Sequence, residues 1–317
     1  MNEALIQRIA DSGYEVPEGM DPERQIPRLT ELLGSTDQIL RERSCEILDA
    51  WGERGHFSDE ALRALGDQMA ETLCRGLGEE GTDSVFLRSY AALVLCLPLA
   101  ADELFAAGAV EGRGTFLRPE QVARWRVAAI DSLRRERDVR GFVDGKGWAD
   151  AICHMGDALH QFARSPHTGA DGQQEILEAI SERLKRPSNE VSVHNEGGRL
   201  MRAAVCVMLR GELPPERITS WIASFARTSD GGSWGWNGIF NLEFCDHRAV
   251  IARANVAEAL HSLYFLLKLG VRRPSTDDPV MKAYQTFYDR PIRGQEGFVD
   301  ALVATLRQVQ SVVYPRA

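Results

Sequence analysis

The sequence predicts an all-α protein, an irregular HEAT- or armadillo-like solenoid of antiparallel helix pairs. Three observations predict it. Apolar residues recur at helical spacing from one end of the chain to the other. Capping residues and glycines bracket many of these stretches. No segment shows the strict alternation of a half-buried strand. An irregular helical bundle is the second fold compatible with the same pattern.

The elements follow in order. Asp21, Pro22 and Glu23 offer a cap, a proline for the first helical position and an acid for the first turn. Ser35, Thr36, Asp37 and Gln38 fit a capping box. After it Leu40, Ser44, Ile47, Leu48 and Trp51 share one helical face. Ser58 opens the next helix, and Phe86, Tyr90, Val94 and Leu97 define another face. Pro215 and the Asp278–Pro279 pair mark later starts. Val256, Leu260, Leu263 and Leu267 form one late stripe, and Phe298, Leu302, Leu306, Val309 and Val313 the last. Gly34, Gly55, Gly76 and Gly270 stand where helices should stop. Short loops between the helices favour antiparallel neighbours. A single helical-repeat domain over 1–317 is expected, with end caps at 1–80 and 278–314. Three segments break the pattern: 111–117, 165–172 and 228–246.

Composition narrows the function. With 37 basic against 46 acidic side chains, the net charge is -9. A general nucleic-acid binder needs a cationic face, so that class is set aside. The densest basic run, Arg134, Arg135, Glu136 and Arg137, reads as the last turn of a helix, where cations complement the dipole. Six cysteines are scattered singly with no CxxC, as in reduced core thiols. The N-terminus is amphipathic and acidic, unlike a signal peptide. The apolar run Tyr90–Ala101 is interrupted by Pro98 and falls short of the roughly 20 residues that span a bilayer. A cytoplasmic protein without a membrane partner is expected.

Chemistry concentrates in residues 138–157, DVRGFVDGKGWADAICHMGD. The glycines flanking Lys146 read as the opening of a helix. Such a turn either cradles an anion on backbone N–H groups or lets the chain turn tightly while Lys146 pairs with Asp138 or Asp144. Asp138 and Arg140 form a salt bridge that pins the loop, or contact a ligand. Asp150, His154 and Asp157 fall at i, i+4 and i+7, within roughly 60° of arc on a helix. An imidazole flanked by two carboxylates suits a divalent cation or a general base with its orienting acid, and equally suits a buried structural tie. His194, Glu196 and Glu243 are available to complete a metal site. The loop 228–246 brings Trp234, Trp236 and Phe240 together, either as a plug on the core or as an aromatic platform. GxxxxGK[ST], GxSxG, HExxH and GxGxxG are all absent. Adjacent Cys153 and His154 would point about 100° apart on a helix, a poor nucleophile–base dyad.

The segment RGFVDGKGWADAICHMGDAL, with FLRSYAALVL upstream and EGGRLMRAAVCVMLRG and NVAEALHSLYFLL downstream, resembles a bacterial family of all-helical proteins of unknown function. The family's signature is D-x-RG, then GKGW, then H-x-x-D, and the likeness runs from about Phe86 to about Leu267. Asp150 stands where the family pattern has its first histidine; His154 and Asp157 match. The resemblance implies the helical fold and draws attention to Trp148–Asp157 without naming a substrate. The expected role is a scaffold that binds a protein or small ligand near 138–157. Its ligand-binding candidates are Asp138, Arg140, Lys146, Trp148, Trp234 and Trp236. The alternative is a metal-dependent hydrolase-type enzyme using Asp150, His154 and Asp157.

Overall fold

The computed structural model describes residues 2–228, 236, 246–271, 285–311 and 313–314. Its helices begin and end where side chains and turns satisfy their backbone. Helix α1 (Glu3–Asp11) is capped by Asn2, whose side chain accepts from Leu5 N. Asp21 does not cap a long helix; it accepts from Glu23 N and opens a single 3-10 turn that runs into α2 (Ile26–Leu32). The cap of α3 (Gln38–Glu53) is Asp37, not Ser35, and it accepts from Leu40 N. Ser58 caps α4 (Asp59–Thr72) as expected. Next come α5 (Ser84–Ala106), α6 (Pro119–Arg135) and α7 (Ala151–Arg164). Then follow α8 (Ala170–Lys185), α9 (Glu196–Arg210), α10 (Pro215–Ser224), α11 (His247–Leu269) and α12 (Gln295–Val309). Among the described residues the only sheet is a two-stranded hairpin, β1 (Phe142–Val143) with β2 (Gly147–Trp148). The protein is therefore all-α. The expected start at Asp278–Pro279 lies outside the described residues. Val313 falls beyond the end of α12 and is exposed, so the last stripe is one turn shorter than its spacing suggests.

The chain forms two compact units, residues 1–168 and 169–317. In the first, α5 is the central element, in contact with α3, α4 and α7. Helix α2 packs on α3, and α6 packs on both α4 and α7. Pro98 sits inside α5 without ending it, so the apolar stretch is longer than the sequence suggests. By length and composition alone α5 could cross a membrane, but 78% of its apolar window is buried inside the protein. Two of its charged residues are buried with partners: Arg88 forms a two-pronged ion pair with Glu136, the residue just past α6. Asp102 accepts from Phe116 N and Leu117 N, from the Thr115 hydroxyl, and pairs with His167 Nε2 at 2.9 Å. That one carboxylate thus organises the 111–117 segment.

In the second unit α9 packs against α8 and α11, and α12 packs against α10 and α11. Trp221 of α10 donates its indole N–H to Leu177 O of α8 at 2.6 Å. Asn255 of α11 accepts from Ser192 N and donates to Glu190 O, fixing the segment that leads into α9.

The α4–α6 contact tests the packing. A Cβ on Gly66 would lie 2.3 Å from the Trp125 ring, which is itself held by an indole N–H to Asp67 bond of 2.7 Å. Gly66→Ala is expected to destabilise the protein by roughly 1–3 kcal/mol through overpacking. A urea denaturation curve with an unchanged midpoint would show that α4 and α6 do not meet this closely.

Candidate functional site

The segment that resembles the family signature does not open a helix at its glycines; it makes the hairpin. Lys146 N donates to Val143 O, closing a turn in which Gly145 has φ 73°; Gly147, the first residue of β2, has φ 80°. Gly145 takes the third turn position, where positive φ is required. The sequence signal for it is the Asp144-Gly145 pair, a turn dipeptide. Helix α7 starts later, at Ala151.

Three ties hold the hairpin. Asp138, fully buried, accepts from Arg140 Nε and Nη2 at 2.8 and 2.6 Å and from Gly81 N at 3.0 Å. Arg140 also donates to Thr82 O. The salt-bridge alternative therefore describes this pair. Lys146 Nζ pairs with Asp83 at 2.6 and 2.8 Å, not with Asp138 or Asp144. The third tie has no local signal in the sequence. Arg41 of α3 is fully buried and donates to Ser35 O, Lys146 O and Trp148 O. Its guanidinium lies 4.2 Å from the Phe86 ring centroid and 5.0 Å from that of Tyr90. The root of the hairpin is apolar, with Ala149 and Ala151 packed against Val85 and Phe86, and Val143 beside them.

What these ties present is aromatic. Phe142 and Trp148 are cross-strand partners, and their rings meet edge to face at 5.1 Å. Phe142 is 50% exposed and Trp148 36% exposed. Trp148 was singled out from the sequence; Phe142 was not, because its pairing exists only once the hairpin forms.

Behind the hairpin lies His154. Asp150 is not on the helix with it: it is the N-cap of α7, with left-handed backbone at φ 47°. Only His154 and Asp157 share the helix face. The Ser89 hydroxyl of α5 lies 2.7 Å from His154 Nδ1 and donates to Ala149 O. A serine has one hydroxyl proton and a carbonyl can only accept, so Nδ1–H donates to Ser89 and a neutral His154 carries its lone pair on Nε2. Tyr90 sets its ring edge to face with the imidazole at 5.1 Å. Burial pushes the Tyr90 hydroxyl up to about 12, with Arg41 opposing. Among the described residues no three His, Cys, Asp or Glu side chains are grouped to hold a metal ion.

Carboxylates and thiols extend the site along α3 and α5. Gln38 Nε2 donates to Glu42 at 2.7 Å, and Tyr90 OH lies 3.5 Å from the same oxygen. Burial, then Asp49, raises the Cys45 thiol; burial, then Asp157, raises Cys96. Asp49 is half-buried, and loss of water followed by the charge of Glu53 holds its carboxyl well above the usual range.

In the second unit, Glu196 opens α9 and accepts from His194 N at 2.9 Å, with His194 Nδ1 at 3.8 Å. These two therefore pair locally. Trp236 is buried, its indole N–H donated to Phe225 O at 2.6 Å, so this candidate serves packing. Trp234, Glu243 and Phe240 lie outside the described residues.

The profile of a family described as proteins of unknown function, DUF2785, matches residues 73–265. The chain belongs to this family. The match runs from α5 through most of α11 and includes the hairpin. No curated protein matches the sequence. Two crystal structures of engineered proteins are similar at low level. One has 16% identity over 90% of this chain and 98% of its own, with a TM-score of 0.38. The other has 18% identity over 99% and 76%, with a TM-score of 0.25. Neither score supports an argument about fold or function.

Two outcomes are expected. Arg41→Met should cost roughly 2–4 kcal/mol by leaving buried carbonyls unpaired, and should speed amide exchange across 142–148. Unchanged exchange there would show that the hairpin holds itself. For Asp49 the folded pKa is raised, so the folded state binds more protons than the unfolded one. Stability then falls as pH rises from the unfolded value through the folded one. Asp49→Asn should raise the denaturation midpoint near neutral pH, and the gain should shrink as pH approaches about 4.

Proposed function

We propose that this family member is a helical-repeat scaffold, HEAT-like in design, that binds its partner on the Phe142–Trp148 hairpin. One observation carries the reading. Two large aromatic side chains are held open to solvent by a hairpin tied down with a buried arginine and a buried aspartate. Exposed aromatics on a rigid support are what binding surfaces use as anchors. The repeat character is supported inside the first unit, where α3, α5 and α7 follow one another as neighbours with α4 against α5 and α6 against α4 and α7; in the second unit α9 and α11 are neighbours, while α10 packs on α8 and α12. The proposal includes a cytoplasmic location and a partner that is neither nucleic acid nor membrane.

The test is a photo-crosslinking phenylalanine analogue at position 142. It should give one saturable adduct whose partner, once identified and purified, binds the wild-type protein and loses affinity for Trp148→Ala. Adducts that neither saturate nor depend on Trp148 would overturn the reading.

A second reading, a metal-dependent hydrolase-type enzyme using Asp150, His154 and Asp157, is favoured by the Nδ1–H tautomer, which makes Nε2 the basic nitrogen. It is opposed by the left-handed cap position of Asp150 and by the lack of a three-residue donor group among the described residues. Metal analysis after incubation with zinc, manganese or magnesium decides it. Stoichiometric metal in wild type and none in His154→Ala would support this reading, and wild-type protein without metal would remove it.

A further inference from the structure

We infer that the occupant of the Phe142–Trp148 platform is an arginine side chain presented by a basic peptide segment of a partner protein. The inference rests on the binding reading above and adds the chemistry of the occupant.

Ring geometry comes first. The two rings meet edge to face and both remain substantially exposed. A planar guanidinium stacks on one open ring face, whereas a compact ammonium gains most when several rings enclose it.

Charge is the second argument. The hairpin's own cations are neutralised: Lys146 by Asp83 and Arg140 by Asp138. The 79–83 loop is bonded to the hairpin through Gly81 N to Asp138 and Arg140 to Thr82 O. This brings Glu79 and Glu80 beside it, while Asp144 sits at the turn itself. On the other flank a Cβ on Gly147 would meet Gln38, whose amide holds Glu42. None of Glu42, Glu79, Glu80 and Asp144 forms an ion pair among the described residues, and Glu80 and Asp144 are exposed. Against these four carboxylates stand two exposed arginines, Arg75 and Arg137. The surroundings therefore favour a cation from outside.

Openness is the third. The platform is a hairpin of two-residue strands, not a closed cavity. Small-ligand sites bury most of their ligand, whereas a peptide brings its own contact area and needs only an anchor point here.

The test is fluorescence polarisation with a short fluorescein-labelled peptide alternating glycine and arginine. A twin peptide carries citrulline, the neutral isostere, in place of arginine. The arginine peptide should bind wild type, and Trp148→Ala and Phe142→Ala should each weaken it roughly fivefold or more. The citrulline twin should lose at least as much, and the double variant Glu80→Gln/Asp144→Asn should flatten the salt dependence. Circular dichroism and thermal melts confirm that these surface variants fold. Equal binding by wild type and both aromatic variants would overturn the proposal in favour of diffuse charge attraction. Equal binding of the citrulline twin, or no binding of the arginine peptide, would overturn the arginine assignment itself. In those last two cases a Trp148-dependent adduct at position 142 would still uphold the platform with a neutral partner, so the two readings fail separately.

Discussion

The arrangement of the first unit depends on the buried guanidinium of Arg41. No carboxylate lies within ion-pair distance of it among the described residues. Its charge is met by three backbone carbonyls and by the faces of Phe86 and Tyr90. Burying a cation this way is costly, and Nε makes no hydrogen bond, so the carbonyl and ring contacts together carry the charge. Two of the carbonyls belong to the hairpin, Lys146 and Trp148, more than a hundred residues further along the chain. Arg41 thereby sets where β2 lies against α3. The same side chain fixes the Tyr90 ring, Tyr90 borders His154, and Ser89 selects the histidine tautomer.

Around this anchor burial shifts several titratable groups, and one pair of large apolar side chains is left outside the core. Asp49, Cys45 and Cys96 are all held in their neutral forms more strongly than in water, chiefly by burial. The Phe142 and Trp148 rings are left in solvent while alanines fill the hairpin root. Departures from local rules of this kind concentrate at functional sites. Here they concentrate along α3, α5 and the hairpin, which is why the binding reading is placed there.

Much of the fold was legible in the sequence. Ser58 caps its helix as its position suggests, and Gly55, Gly76 and Gly270 take positive φ at helix ends. These features depend on residues within a turn of one another. The misreadings share the opposite character. The glycines around Lys146 suggest a helix start, although the Asp144-Gly145 pair also marks a turn; two-residue strands are too short to show any alternation. Asp150 was placed on the helix by spacing, but periodicity applies only inside a helix, and the first helical residue is Ala151. Lys146 found Asp83 instead of the nearer Asp138 or Asp144, because the 79–83 loop is brought in by Asp138 and Arg140.

By itself the sequence determined the helical class, most helix ends, and the segment where chemistry gathers. All of these follow from hydrogen bonds and apolar contacts between residues three or four apart. The tertiary structure decided what that segment is. Arg41 is one arginine among many in the sequence, and Phe142 one apolar residue in a loop. Only the packing of α3 and α5 against the hairpin makes the first a buried anchor and the second half of an exposed aromatic pair. Such contacts join residues tens to a hundred positions apart, and no local period or cap records them.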